Sequence, residues 1–140
     1  MLHYYPLPEF VASEDRADSP PLVDIGAFAT ILDDIGRVLL IRRRDLRVWE
    51  APGGGAGADE PPWEAVVREV REETGVAVAV ERLGGVYWRP DKPALILQFL
   101  CSVTASVPAS SEEAADVRYF ALESLPSRIA PVSESELMTA

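Results

Sequence analysis

The sequence predicts a single α/β domain. Three observations point to it: short apolar runs with the spacing of strands, one amphipathic segment with the period of a helix ending at Gly75, and a glycine-rich stretch just ahead of that segment. The chain has 140 residues, enough for one compact core, and its 48% hydrophobic and 26% charged residues are ordinary for a globular protein.

Residues 1–21 mix prolines and acids with Tyr4, Tyr5 and Phe10 and show no period, so they are expected to form a loosely ordered N-terminal arm, with the domain running over 22–140. From Val23 the apolar residues alternate through Ile25, Ala27, Ala29 and Ile31, which predicts a half-buried strand. Asp33-Asp34-Ile35-Gly36 supplies turn chemistry before Val38-Leu39-Leu40-Ile41, so the pair reads as a hairpin. Pro52 to Gly57 is expected to be an irregular loop, since glycine makes unusual backbone angles cheap and proline removes a donor.

A helix is expected to start after that loop, with Asp59 or Glu60 near the cap and Pro61-Pro62 in its first turn. Val76 to Val80 and Val86 to Trp88 read as two short strands, Ala94 to Val103 as a longer buried one, and Val117 to Phe120 as the last. Ser133 with Glu136 fits a capping box for a short final helix. Cys101 is the sole cysteine and lies in an apolar run, so it is expected in the core, with no internal disulfide.

The net charge of −10 argues against extended DNA or RNA as a partner, because such ligands require a basic surface that displaces counterions. A small anionic ligand remains compatible if a divalent cation stands between its phosphates and the protein's carboxylates. No signal peptide or membrane-length apolar run is visible, which predicts a cytoplasmic protein without a membrane partner.

On a helical wheel Trp63, Val66, Val67, Val70 and Thr74 share a stripe expected to pack on the sheet, while Glu69, Glu72 and Glu73 fall together on another face. Arg68 can answer Glu64 and Glu72 at i,i+4 spacing, as on any solvated face. Glu69 and Glu73 have no cation at helical spacing, and like charges there repel. Carboxylates gathered beside a glycine loop are what a hard divalent cation such as Mg²⁺ or Mn²⁺ requires.

Gly54, Glu60 and the run from Arg68 to Val76 match every specified position of G-x5-E-x7-R-E-U-x-E-E-x-G-U, where U is a bulky aliphatic. The chain thus resembles the Nudix hydrolases, with the box over 54–76 and the likeness extending over most of residues 23–126. The resemblance implies an α/β/α sandwich with a mixed sheet, and a Mg²⁺-dependent hydrolase that cleaves a diphosphate linkage. It implies Glu69, Glu72, Glu73 and the carbonyl of Gly53 as metal ligands, and a holding role for Gly54, Glu60, Arg68 and Gly75. Glu113, six residues before Tyr119 and flanked by Glu112 and Asp116, is the loop carboxylate expected to serve with Glu69 as a candidate base. Two departures stand out: Gly55 where a lysine is common, and Gly57 where many members have a further glutamate.

Arg42, Arg43, Arg44 and Arg47 form the one basic concentration, and Arg42, Arg44 and Arg47 are expected to grip substrate phosphate. Trp88, with Tyr87 and Arg89, reads either as a platform for a base or as core and rim. Pro90, about fifteen residues beyond the box, hints at ADP-ribose; nucleotide sugars and nucleoside triphosphates stay open. Two other readings compete with the enzyme: a catalytically silent nucleotide sensor of the same fold, and an acidic interaction protein. Homodimers are common in the resembled family, and no residue decides that point.

Overall fold

The structure is a computed structural model that describes residues 22–105 and 110–127. The arm expected over 1–21 and the helix expected near Ser133 and Glu136 lie outside the described residues. In chain order the elements are β1 (Asp24–Ile31), β2 (Val38–Arg43), β3 (Trp49–Glu50), β4 (Gly53–Gly55), α1 (Pro62–Thr74), β5 (Ala77–Arg89), β6 (Ala94–Ala105), β7 (Ala114–Phe120) and a 3-10 turn (Leu122–Ser124).

Two sheets form, in the orders β4-β1-β6-β5 and β3-β2-β7. The first is mixed, since β1 runs parallel to β6 and antiparallel to β4. Parallel neighbours need a long crossover, and α1 lies within it. One face of β1 and β6, carrying Ala27, Ala29, Ile31, Phe99 and Cys101, packs against Ala65, Val66 and Val70 of α1. Burying a valine side chain of this kind stabilises the fold by about 1.5–3 kcal/mol. Cys101 is buried in this core and burial pushes its thiol up to about 12, so it is an inert packing residue.

Five local expectations give way to tertiary structure. β1 and β2 do not form a hairpin: they share only the bridge between Leu32 and Val38, and belong to different sheets. The turn between them is tied by the Asp33 carboxylate, which accepts from the backbone N–H of Ile35 at 3.1 Å and of Arg37 at 2.8 Å, so it redirects the chain from one sheet to the other. The glycine stretch is not wholly irregular. Gly53–Gly55 pairs antiparallel with β1, because a central strand supplies backbone partners to a segment whose own propensity for sheet is poor.

The two short strands expected around Gly84-Gly85 are one 13-residue strand, β5, and the glycines sit where the ladder shifts register. The helix start also differs. Pro61 occupies the cap position with no side-chain cap bond, and the Glu60 carboxylate turns instead to Arg68. Trp63 is 44% exposed, so the buried stripe runs through Ala65, Val66, Val70 and Thr74. Gly75 ends the helix as expected, left-handed at φ 74°, its N–H donating to the carbonyl of Arg71.

Candidate active site

The site grows from the pairing of β4 with β1. Phe28 lies opposite Gly53 and Ala27 opposite Gly54, which lays the glycine strand alongside the carboxylate face of α1. A Cβ on Gly53 would stand 2.6 Å from Phe28 Cα, and its φ of 153° disfavours any side chain. A Cβ on Gly54 would stand 2.8 Å from both Cδ and Oε1 of Glu69. The missing side chain at Gly54 is therefore the space in which the Glu69 carboxylate sits.

Glu73 is 3% exposed, and its Oε1 accepts a hydrogen bond from the Gly53 N–H at 3.1 Å. Glu113, at the entry to β7, is held by the backbone: its carbonyl accepts from the Arg44 N–H at 3.2 Å. One carboxylate oxygen from each of Glu69, Glu73 and Glu113 lies within 4.8 Å of the others. Burial pushes the Glu73 carboxyl up to about 9 against the Gly53 hydrogen bond, and the nearby Glu69, Glu50 and Glu113 charges add to the rise. Among the described residues no cation pairs with Glu73. A buried carboxylate without a counter-charge, converging with two others, fits a hard divalent cation in both donor chemistry and charge.

Arg68 organises the approach. Its guanidinium reaches Glu60 at 2.7 and 2.9 Å, Glu69 at 3.1 Å, Glu72 at 3.1 Å and the Gly55 carbonyl at 3.3 Å. Glu69 is thus answered by its sequence neighbour, which spacing along a helix face alone did not reveal. The expected pairing of Arg68 with Glu64 gives way to Glu60, whose loop folds back over the helix. Glu72 is half-exposed, held by Arg68, and stands outside the three-carboxylate group.

Gly53, Gly54, Glu69, Glu73 and Glu113 line a cleft of about 510 Å³, whose walls also carry Arg43, Arg44, Glu50 and Arg89. Of the expected phosphate-gripping residues, Arg44 lines this cleft, with its guanidinium donating to the Ser111 carbonyl at 3.0 and 3.2 Å. Arg42 turns to the other side, its guanidinium 6.0 Å from the centre of the Trp49 ring. Arg47 closes the turn after β2 at φ 53°, and neither it nor the 57% exposed Trp88 lines the cleft.

Glu50 and Phe28 line the cleft without being named from sequence, whereas Arg43 and Arg89 are named there only as members of the basic run and of the Tyr87-Trp88-Arg89 group. A register shift between Arg42 and Arg43 breaks simple alternation, which is why Arg43 and Arg44, and not Arg42 and Arg44, line the cleft together. Burial raises the Glu50 carboxyl while Arg43, 3.7 Å away, pulls it back. Its short strand, β3, carries too few residues for a periodic signal.

The profile of the NUDIX domain matches residues 23–138. The chain belongs to the Nudix family. It is a hydrolase of the family that acts on phosphoric anhydride bonds. A MutT-like protein of Streptomyces ambofaciens is 35% identical over 131 residues, 94% of this chain and 85% of that one. An ADP-ribose pyrophosphatase of Methanocaldococcus jannaschii is 32% identical over 103 residues, 69% of this chain and 61% of that one. Among solved structures, a MutT NUDIX hydrolase from Burkholderia pseudomallei superposes with a TM-score of 0.76 at 29% identity, covering 85% of this chain and 98% of its own. The Nudix-type α/β/α fold follows, and among the described residues α1 is its one α-helix. No described helix is long and apolar enough to cross a membrane.

Proposed function

We propose that this Nudix hydrolase cleaves the diphosphate linkage of a nucleotide-type substrate with Mg²⁺ as its metal, Mn²⁺ serving in its place. The observation that carries this reading is the convergence of Glu69, Glu73 and Glu113 within 4.8 Å at a cleft that Arg43 and Arg44 also line. The carboxylates of Glu69, Glu73 and Glu113 would hold the ion, with the Gly53 carbonyl at the same cleft and Glu72, outside it, as further candidate ligands. The bound ion supplies charge neutralisation at the phosphates and acidifies water.

The chain's own groups do the rest. The arginine wall orients the phosphates by charge-assisted hydrogen bonds, which fixes the phosphorus in front of the attacking water. A carboxylate, Glu69 or Glu113, takes the water proton. The water oxygen bonds to phosphorus, the bridging P–O bond breaks, and the bridging oxygen leaves with the other phosphate. Arg68, Glu60, Gly54 and Gly75 hold the carboxylates in register, and they touch no reacting atom.

Glu73→Gln tests the reading. It keeps the shape of the side chain and removes the charge, so the fold is expected to persist while most Mg²⁺-dependent turnover is lost. Near-normal turnover of a nucleotide diphosphate panel by this variant would overturn it. A silent sensor is disfavoured by the intact glutamates of the box.

A further inference from the structure

Beside the carboxylate cleft lies a second hollow of about 240 Å³, continuous with it through Phe28, Gly54 and Arg89, which line both. Its floor is the face of β1 and β6 opposite α1. Gly26 pairs with Ile96 on one side and with Gly55 on the other. A Cβ on Gly26 would stand 2.7 Å from Ile96 Cδ1 and 3.2 Å from the Phe28 ring, so this glycine lets the two side chains close into an apolar floor. Gly55 differs, since a Cβ there meets nothing within 4 Å. Directly paired residues present their side chains to the same face, so a side chain at position 55 would stand in the hollow that Gly26 floors.

The charged groups of the hollow are Asp24 and Lys92, with Arg89 on the side it shares with the cleft. Asp24 accepts and Lys92 donates hydrogen bonds to hydroxyl groups, and an aromatic ring beside an isoleucine covers the C–H face of a sugar while offering a bare phosphate nothing. We propose that Gly55 is a specificity-determining residue: by leaving this hollow open it admits a hydroxylated ring attached beyond the diphosphate. The preferred substrate then carries an organic group on both sides of the linkage, and a nucleoside triphosphate, whose far end is bare phosphate, is the poorer one. This inference rests on diphosphate hydrolysis at the adjoining cleft.

The test compares kcat/KM for ADP-ribose with kcat/KM for dGTP, using the full chain with Mg²⁺. The wild-type protein is expected to favour ADP-ribose. Gly55→Leu fills the hollow and is expected to lower the ratio by about tenfold or more, the scale on which a pocket discriminates by size. Asp24→Asn, an exposed substitution that keeps the shape, is expected to lower it severalfold and carries the test if the leucine variant does not fold. A wild-type preference for dGTP, or a ratio that Gly55→Leu and Asp24→Asn leave in place, overturns the proposal while the diphosphatase reading stands. A wild-type protein that cleaves neither compound, nor any other nucleotide diphosphate, overturns both.

Discussion

The backbone N–H of Gly53 meets Oε1 of Glu73 at 3.1 Å, which joins the glycine strand to the last turn of α1 at the one acidic side chain buried among the described residues. A single hydrogen bond satisfies only part of a carboxylate's capacity, and burial has removed the water that would satisfy the rest. The protein therefore keeps a water-poor, acidic environment around a group whose function needs charge. A divalent cation resolves the conflict, and without one a proton must.

That conflict has a sign that can be measured. The ordinary carboxyl value of 4.5 is raised to about 9 in the metal-free fold, so between these values the folded chain binds a proton that the unfolded chain has released. Stability from this group is complete below about pH 4.5 and is lost as the pH rises through about 9. Urea titrations without divalent ions are expected to show wild-type stability falling over that window, and Glu73→Gln is expected to flatten the fall. Mg²⁺ is expected to raise the melting temperature more at about pH 8 than at about pH 5.5, because the ligand must lose its proton first. A stability that rises across the window in the wild type would contradict the assignment.

Gly54 offers a second measurement. Its absent Cβ is the space taken by the Glu69 carboxylate, since the added carbon would lie 2.8 Å from Cδ. Gly54→Ala is expected to displace that carboxylate while leaving the core of Ala27, Val66, Val70 and Phe99 untouched. Misplacing a reacting group by about 1 Å costs roughly a hundredfold in rate. The expected result is a kcat lowered by about that factor with a melting temperature close to wild type, checked by steady-state kinetics beside calorimetry.

The sequence made the box helix legible because its signals are local: a glycine after the last turn, a valine stripe, and glutamates at spacings of three and four. It concealed whatever depended on partners far along the chain. β4 is a strand only because β1 supplies its hydrogen bonds. Glu113 is singled out by the family resemblance and not by any local signal, since it joins Glu69 and Glu73 only because β7 pairs with β2. Glu50 gave no signal, since its neighbours in the cleft are distant in sequence and its own strand is two residues long. The exposed position of Glu72 follows from the grip of Arg68, which a wheel of one helix cannot show.

The arginines separate by where they point. Arg43 lines the cleft and is held by Asp45 at 2.6 and 3.0 Å, whereas Arg42 lies over Trp49. Arg43→Ala is expected to raise KM by about tenfold, the loss of roughly one charge-assisted hydrogen bond to phosphate. Arg42→Ala is expected to leave KM near wild type and to cost about 0.5–1 kcal/mol of stability from the lost cation–π contact. Substrate titrations and urea melts on the two variants give opposite patterns if the assignment is right, and a KM effect confined to Arg42→Ala would reverse it.

Arg68 is a positioning residue whose worth is geometric more than energetic. Its pair with Glu72 lies at the surface, where it contributes only about 0.2–1 kcal/mol and salt weakens it, while the pairs with Glu60 and Glu69 are part-buried. Its planar fork nevertheless spans three carboxylates and the Gly55 carbonyl at once, a task that the single ammonium of lysine does not perform. Arg68→Lys is therefore expected to change the melting temperature by only a few degrees while lowering kcat and Mg²⁺ affinity together, by about 10–100-fold for the metal. Calorimetric titration of Mg²⁺ into the variant checks this, because a role confined to helix stability would move the melting temperature and leave the metal affinity where it was.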